Sequence, residues 1–176
     1  MTLGSEVFTL YNSDMKSYNI LFLCTGNSAR SILAEVLVTT LSGGKFIGYS
    51  AGSNPVGHVN PFAWELAMEM GYPKEKLRSK NWDEYSLPDS PQMDFIITVC
   101  DNAANEACAI WLGHPSTAHW GFPDPASVEG TDAIKREAFQ KILLGLTKNI
   151  EALIQLPIDQ LDLLSLKKAI QDIHDE

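Results

Sequence analysis

A thiol and a guanidinium stand at the two ends of the segment Cys24-Thr25-Gly26-Asn27-Ser28-Ala29-Arg30. The residues between them are small or polar and include a glycine, so the chain can curl there with its backbone N–H groups converging on one point. If a helix starts at the far end of the loop, the positive end of its dipole adds to that field, and an oxyanion is favoured inside. The same donors favour thiolate over thiol. Cysteines at helix N-termini have pKa values lowered to about 3.5–7.5, so Cys24 is expected to be a nucleophile at neutral pH. Arg30 offers planar, paired donors that suit two oxygens of a tetrahedral oxyanion such as phosphate or arsenate. A thiolate beneath such a guest attacks its central atom and must expel an oxygen, a step eased by a positioned proton donor. Asp124, held between Pro123 and Pro125 in an apolar, aromatic segment, is the candidate donor. Plainer roles exist: Cys24 as an inert small hydrophobe at a strand end, Asp124 as an ordinary turn aspartate.

The loop needs a strand before it and a helix after it, and the flanking residues supply both. Tyr18 to Cys24 is a short continuous apolar run of the kind found in a strand covered on both faces. Arg30 to Leu41 places apolar residues 33, 36, 37 and 41 on one helical stripe, stopped by Ser42-Gly43-Gly44. Lys45 to Ala51 reads as a second strand. Asn60-Pro61 looks like an N-cap with proline at the first helical position, opening a helix through Met70 that Gly71 ends. Asp94 to Cys100 is a third apolar strand, again ending on a cysteine, and Ala118 to Gly121 a brief fourth. Thr131 or Asp132 caps a long helix to about Leu156, whose core-facing stripe runs through Phe139, Ile142, Leu143, Leu146, Ile150, Leu153 and Ile154. After Pro157, Asp159 to Ile173 carries one more helical pattern, packed on the domain or on a second subunit. Alternating strands and helices predict an open α/β sheet, in which ligands bind beyond the carboxyl ends of the strands at a switch in strand order. That rule directs attention to Cys24 and Cys100.

The remaining composition is ordinary and excludes several classes of function. The chain has 176 residues, 45% hydrophobic and 20% charged, with a formal net charge of −9. This length fits one domain, since chains usually split only beyond about 250 residues. An acidic balance argues against generic binding to nucleic acid or anionic membrane. No apolar stretch reaches the roughly 20 residues of a membrane span, and the first 19 residues lack the apolar centre of a signal peptide, so a cytoplasmic protein is expected. Three cysteines, an odd number, do not suggest a secreted disulfide framework. His58, His114, His119 and His174 share no ligand spacing, so no metal site is expected.

Four motifs together carry a resemblance. CTGNSARS from Cys24 to Ser31, YSAG from Tyr49 to Gly52, ITVCDNAANEAC from Ile97 to Cys108 and AHWGFPDP from Ala118 to Pro125 resemble the arsenate reductases built on the low-molecular-weight tyrosine phosphatase fold. The resemblance covers about residues 18 to 156. It implies an open four-stranded parallel sheet of order 2-1-3-4 flanked by helices. It also implies an anion-binding loop of Thr25, Gly26, Asn27, Ser28, Ala29 and Arg30. Cys24 would be the nucleophile, Arg30 the anion clamp, Ser31 a hydrogen-bond donor to the nucleophile sulfur and Asp124 the general acid. With the third strand beside the first, Cys24 and Cys100 would end neighbouring strands about 4.8 Å apart. Cys108, eight residues further on, would complete a relay: arsenate is reduced to arsenite, and a disulfide passes from Cys24–Cys100 to Cys100–Cys108. No cofactor would be bound. An external thiol system, thioredoxin or glutathione with glutaredoxin, would reopen the final disulfide.

The match leaves residues 1–17 as an N-terminal extension, 18–157 as the reductase-like domain and 158–176 as a C-terminal helical extension. Many relatives carry cysteine where Ala29 stands and proline where Ala109 stands. Some bind potassium through residues matching Asn27, Glu35 and Ser50 plus an aspartate where Asn81 falls here, and that carboxylate is missing. Two rivals share the cysteine loop. A low-molecular-weight protein tyrosine phosphatase would use the same loop and aspartate, but Asp124-Pro125 is followed by Ala126-Ser127 instead of the aromatic pair typical of those enzymes, and Cys100 and Cys108 would have no task. A noncatalytic thiol binder of arsenite or zinc would lack C-x-x-C pairs and set Arg30 against a cation.

Overall fold

The computed structural model describes residues 16–101 and 115–175. The first apolar run forms β1 (Tyr18–Cys24), buried at every position except Asn19. It lies at the centre of a four-stranded parallel sheet of order β2-β1-β3-β4, with β2 at Phe46–Gly52, β3 at Phe95–Thr98 and β4 at Ser116–His119. Parallel neighbours on both sides explain why β1 is apolar without a break from Ile20 to Cys24 instead of alternating. Cys24 pairs with Gly52 across one edge of β1, while Leu23 pairs with Thr98 across the other.

Helix α1 (Arg30–Leu41) follows the cysteine loop directly and is buried from Ser31 to Val38. The single stripe expected for it is replaced by two faces. Leu33, Ala34, Leu37 and Val38 join the main core against the sheet, and Ile32 and Val36 pack with Ala67, Tyr72 and Leu77 on the other side. Leu41, assigned to the stripe, is 42% exposed. A helix covered on both sides needs apolar residues all round, which one-sided periodicity does not describe.

Helix α2 (Pro61–Glu69) begins as its cap residues predict: the Asn60 side chain accepts from the Phe62 amide, and Gly71 beyond its end sits at φ +75°. Helix α3 (Asp132–Gln155) is capped by Thr131 and buries Phe139, Ile142, Leu146, Ile150 and Leu153. The last helix, α4 (Leu163–Asp175), starts later than the expected Asp159. A short 3₁₀ turn occupies Ile158–Gln160, and it is Asp162 that accepts from the Ser165 amide at 2.7 Å. Leu166 and Ile170 seat α4 in the core of its own chain, as packing on the domain requires. The expected third and fourth strands also shift. β3 stops at Thr98, two residues short of Cys100, and β4 starts at Ser116 and ends before Trp120. Trp120 turns fully into the core there, so the chain leaves the sheet earlier than its apolar pattern suggests. Among the described residues no helix is long and apolar enough to cross a membrane.

Candidate active site

Cys24 is the last residue of β1 and Arg30 the first of α1, so the loop between them spans the junction of strand and helix. Its carbonyls are drawn outward. Thr25 O accepts from the Asn54 amide at 2.9 Å, Gly26 O from the Val56 amide at 3.0 Å and Ser28 O from the Asn60 amide at 2.9 Å. The N–H and C=O of one peptide point in opposite directions, so these bonds turn the intervening amides inward. The Asn27 amide accordingly donates to Cys24 Sγ at 3.2 Å. Asn27 is held in the left-handed region at φ +45°, which asparagine tolerates better than most residues. Its fully buried side chain ties the loop on two sides: Oδ1 accepts from the Lys80 amide at 2.9 Å and Nδ2 donates to Ser31 Oγ at 2.8 Å. Ser31 Oγ lies 2.8 Å from Cys24 Sγ. Gly52 closes the floor, because a Cβ there would lie 2.4 Å from the Thr25 carbonyl oxygen.

The electrostatics of the thiol depart from expectation. Cys24 is 3% exposed, and burial pushes its thiol above the ordinary value. The Ser31 hydroxyl and the amides of Ser31 and Asn27 act in the opposite direction, while nearby Cys100 raises it further. Burial outweighs the local donors, so the thiol stands above its ordinary value instead of below it.

Arg30 and Asp124 meet across the mouth of the loop. Arg30 NH1 donates to the Phe122 carbonyl at 2.9 Å, and NH2 lies 4.0 Å from Asp124 Oδ1. Asp124 Oδ1 also accepts from the Ala126 amide at 2.9 Å, so this half-exposed carboxylate organises its own turn and faces the guanidinium. Cys100 follows β3 by two residues and is 3% exposed. The Val99 amide before it donates to Leu23 O at 2.8 Å, and Cys100 Sγ lies 3.7 Å from Thr25 Oγ1. The structure therefore gathers Cys24, the loop, Arg30, Ser31, Cys100 and Asp124 at the carboxyl ends of β1 and β3. Cys108, the second half of the expected relay, lies outside the described residues, as do His114 and residues 1–15.

Lys80 was not anticipated. Its side chain is buried beneath the loop, with Nζ donating to Ser50 Oγ at 3.3 Å and to Arg78 O at 2.9 Å and lying 3.7 Å from Glu35 Oε1. Glu35 accepts in addition from Ser50 Oγ at 2.7 Å and from the Tyr72 hydroxyl. Burial pushes the Lys80 ammonium below its ordinary value and Glu35 pulls it back. Glu35 and Ser50, two of the residues matching potassium ligands in some relatives, thus already face a cation of the chain itself. Asn81, standing for the missing aspartate, turns its carbonyl to the Asp83 amide instead. The residues present do not fit a potassium site.

A family model described as low molecular weight phosphotyrosine protein phosphatase matches residues 19–167. The chain belongs to that family. Among curated relatives it is 36% identical over 132 residues to the arsenate reductase of Halalkalibacterium halodurans, covering 75% of this chain and 91% of that one. It is likewise 36% identical over 128 residues to the arsenate reductase of Bacillus subtilis, covering 73% and 88%. Of solved structures, an arsenate reductase from Archaeoglobus fulgidus superposes with a TM-score of 0.61 at 24% identity, covering 78% of this chain and 99% of that one. A low molecular weight protein tyrosine phosphatase from T. tengcongensis gives 0.63 at 22% identity, covering 79% and 99%. The last two likenesses establish the open parallel sheet and helices as a shared fold.

Proposed function

We propose that this chain reduces arsenate to arsenite with its own thiols. The observation that carries the reading is the placement of Cys100, buried just beyond β3 and 3.7 Å from the Thr25 hydroxyl of the cysteine loop. A phosphatase needs no second thiol there. Cys24, ionised on binding the oxyanion, attacks arsenic(V) and forms an S–As bond. Asp124 gives a proton to the departing oxygen, which leaves as water, while Arg30 and the loop amides hold the remaining oxygens. Cys100, as thiolate, then attacks Cys24 Sγ. An S–S bond forms, the S–As bond breaks, and its electron pair stays on arsenic, which leaves as arsenite(III). Cys108 attacks Cys100 Sγ and releases Cys24, and an external dithiol reduces the Cys100–Cys108 disulfide. The reductant is a thioredoxin or a glutathione and glutaredoxin couple, and the reaction belongs in a reducing compartment such as the cytoplasm. The arsenate reductase names carried by relatives more than a third identical support the substrate.

Low molecular weight phosphotyrosine phosphatase activity is the second reading, favoured by the Cys24 to Arg30 loop and Asp124, which would serve attack of Cys24 on phosphorus in the same roles. The decisive experiment follows NADPH consumption with arsenate and each reductant system in turn, beside hydrolysis of an aryl phosphate. Arsenate-dependent NADPH consumption with one couple is expected; efficient aryl phosphate hydrolysis without any arsenite formed would replace reductase by phosphatase.

A further inference from the structure

Helix α4 holds the segment that leads to the acid, and it does so with residues that lie beyond the family match ending at residue 167. Four consecutive residues, His119 to Phe122, are fastened to it. Gln171 treats His119 like a neighbouring strand, its Oε1 accepting from the His119 amide at 2.8 Å and its Nε2 donating to the His119 carbonyl at 2.7 Å. Trp120 Nε1 donates to Ile170 O at 3.0 Å. His174 Nε2 lies 3.0 Å from Gly121 O, and its ring packs on Phe122 with centroids 5.0 Å apart. The other ring nitrogen, Nδ1, lies 3.0 Å from Asn149 Nδ2. An amide nitrogen only donates, so Nδ1 accepts, and His174 carries its proton on Nε2, where it donates to the Gly121 carbonyl. The next residue, Phe122, presents its carbonyl to Arg30 NH1, and Asp124 follows two residues later. At its front the same segment reaches Asp101, which borders Cys100, through His119 Nε2 to Asp101 Oδ1 at 2.8 Å.

We propose that α4 is a positioning element of the active site, with Gln171 and His174 fixing the 119–122 backbone so that the Phe122 carbonyl orients Arg30 and Asp124 is delivered to the leaving oxygen. This assignment rests on the roles given above to Arg30 and Asp124. A short parallel edge strand of four residues, β4, gives little hold on the loop that follows it. α4 supplies the anchorage that the sheet does not, and it does so by side chains reaching main-chain groups, which fixes position without touching substrate.

The test uses the full chain with Gln171→Ala and His174→Ala, singly and combined, and His174→Gln, whose amide can still donate to Gly121 O. Three quantities are read: the thermal midpoint, the Kd for inorganic phosphate from its protection of Cys24 against alkylation, and kcat and KM for arsenate with saturating reductant. In the combined variant the phosphate Kd and KM rise about threefold as Arg30 loses its fixed partner, and kcat falls by about tenfold or more as Asp124 loses register. His174→Gln recovers most of the His174→Ala loss. An unchanged Kd and kcat in the combined variant overturns the proposal, and so does a kcat loss that follows the unfolded fraction and is not rescued by His174→Gln. If the unaltered chain turns over no arsenate, the functional reading fails on its own. The positioning role is then decided by the phosphate Kd, which supports it by rising and overturns it by staying constant.

Discussion

Asn27 Nδ2 donates to Ser31 Oγ at 2.8 Å, and Ser31 Oγ lies at the same distance from Cys24 Sγ. The first bond has a fixed direction. The Asn27 amide cannot be reversed, because its Oδ1 already accepts from the Lys80 amide. Ser31 therefore accepts from Asn27 and keeps its own proton to donate to the sulfur once that sulfur is ionised, since a thiolate only accepts. Buried as it is, Cys24 depends on that proton and on the Asn27 amide to reach the thiolate.

Ser31→Ala removes a donor to the charged form, so the Cys24 thiol, already raised by burial, rises further. The sign follows directly: less thiolate at any given pH below the midpoint, hence slower alkylation. The iodoacetamide rate at Cys24, followed by mass spectrometry across alkaline pH, shifts its midpoint upward by about one pH unit. A midpoint that stays put or falls removes Ser31 from the role of donor.

Lys80 and Glu35 are both nearly inaccessible, with side chains 3% and 4% exposed. Lys80→Met leaves the Glu35 carboxylate buried without its counter-charge, and loss of one partner from a buried pair costs about 3 kcal/mol or more. Urea unfolding of Lys80→Met, Glu35→Gln and the double variant measures the coupling. The double variant is expected to be more stable than Lys80→Met alone. Because the chain supplies its own cation, exchanging sodium for potassium at constant ionic strength leaves the unaltered protein's unfolding midpoint where it was; a specific rise with potassium contradicts the assignment.

Gly52→Ala tests the floor of the loop. The added methyl meets backbone, with Thr25 O at 2.4 Å and Cys24 O at 3.0 Å, and backbone at the end of a paired strand yields little. A stability loss of about 2 kcal/mol is expected from overpacking. Phosphate protection of Cys24 falls more steeply than stability, since the displaced peptide is the one whose amide belongs to Gly26. Equal protection in the variant and the parent would show that the loop tolerates the shift.

Much of this site is local in the chain, and that part was legible in the sequence. Cys24 to Ser31 places nucleophile, donors and clamp within one strand, loop and helix turn, so residue types and spacing suffice. Asp124 stood out only because two prolines frame it. Lys80 gave no such signal: a single lysine in a polar stretch reads as solvated, and it becomes buried because Gly52 pairs with Asn81 and draws the neighbouring side chain beneath the loop. The raised Cys24 thiol has a related cause. The donors that lower it are neighbours in sequence, whereas the burial that raises it comes from β2, β3 and α1 closing around the sulfur. The grip of α4 on residues 119–122 was equally hidden, since Gln171 and His174 occupy helix positions whose only local signal is polarity.

Cys108→Ser separates the two halves of the proposed chemistry. Cys24 ends β1 and Cys100 lies two residues beyond the neighbouring β3, both buried and unbridged, so in the proposed relay attack on arsenic and formation of the first disulfide need nothing beyond them. Without Cys108 that disulfide stays in the interior, where an external dithiol has no approach. The variant is expected to form arsenite in about one equivalent per chain and then stop, with a Cys24–Cys100 bond visible by peptide mass mapping under non-reducing conditions. Sustained turnover with thioredoxin would mean that the reductant reaches Cys100 directly and that the third cysteine is dispensable. Absence of even the first equivalent, with Cys24 still alkylated at the parent rate, would move Cys108 from the last step of the relay to an earlier one.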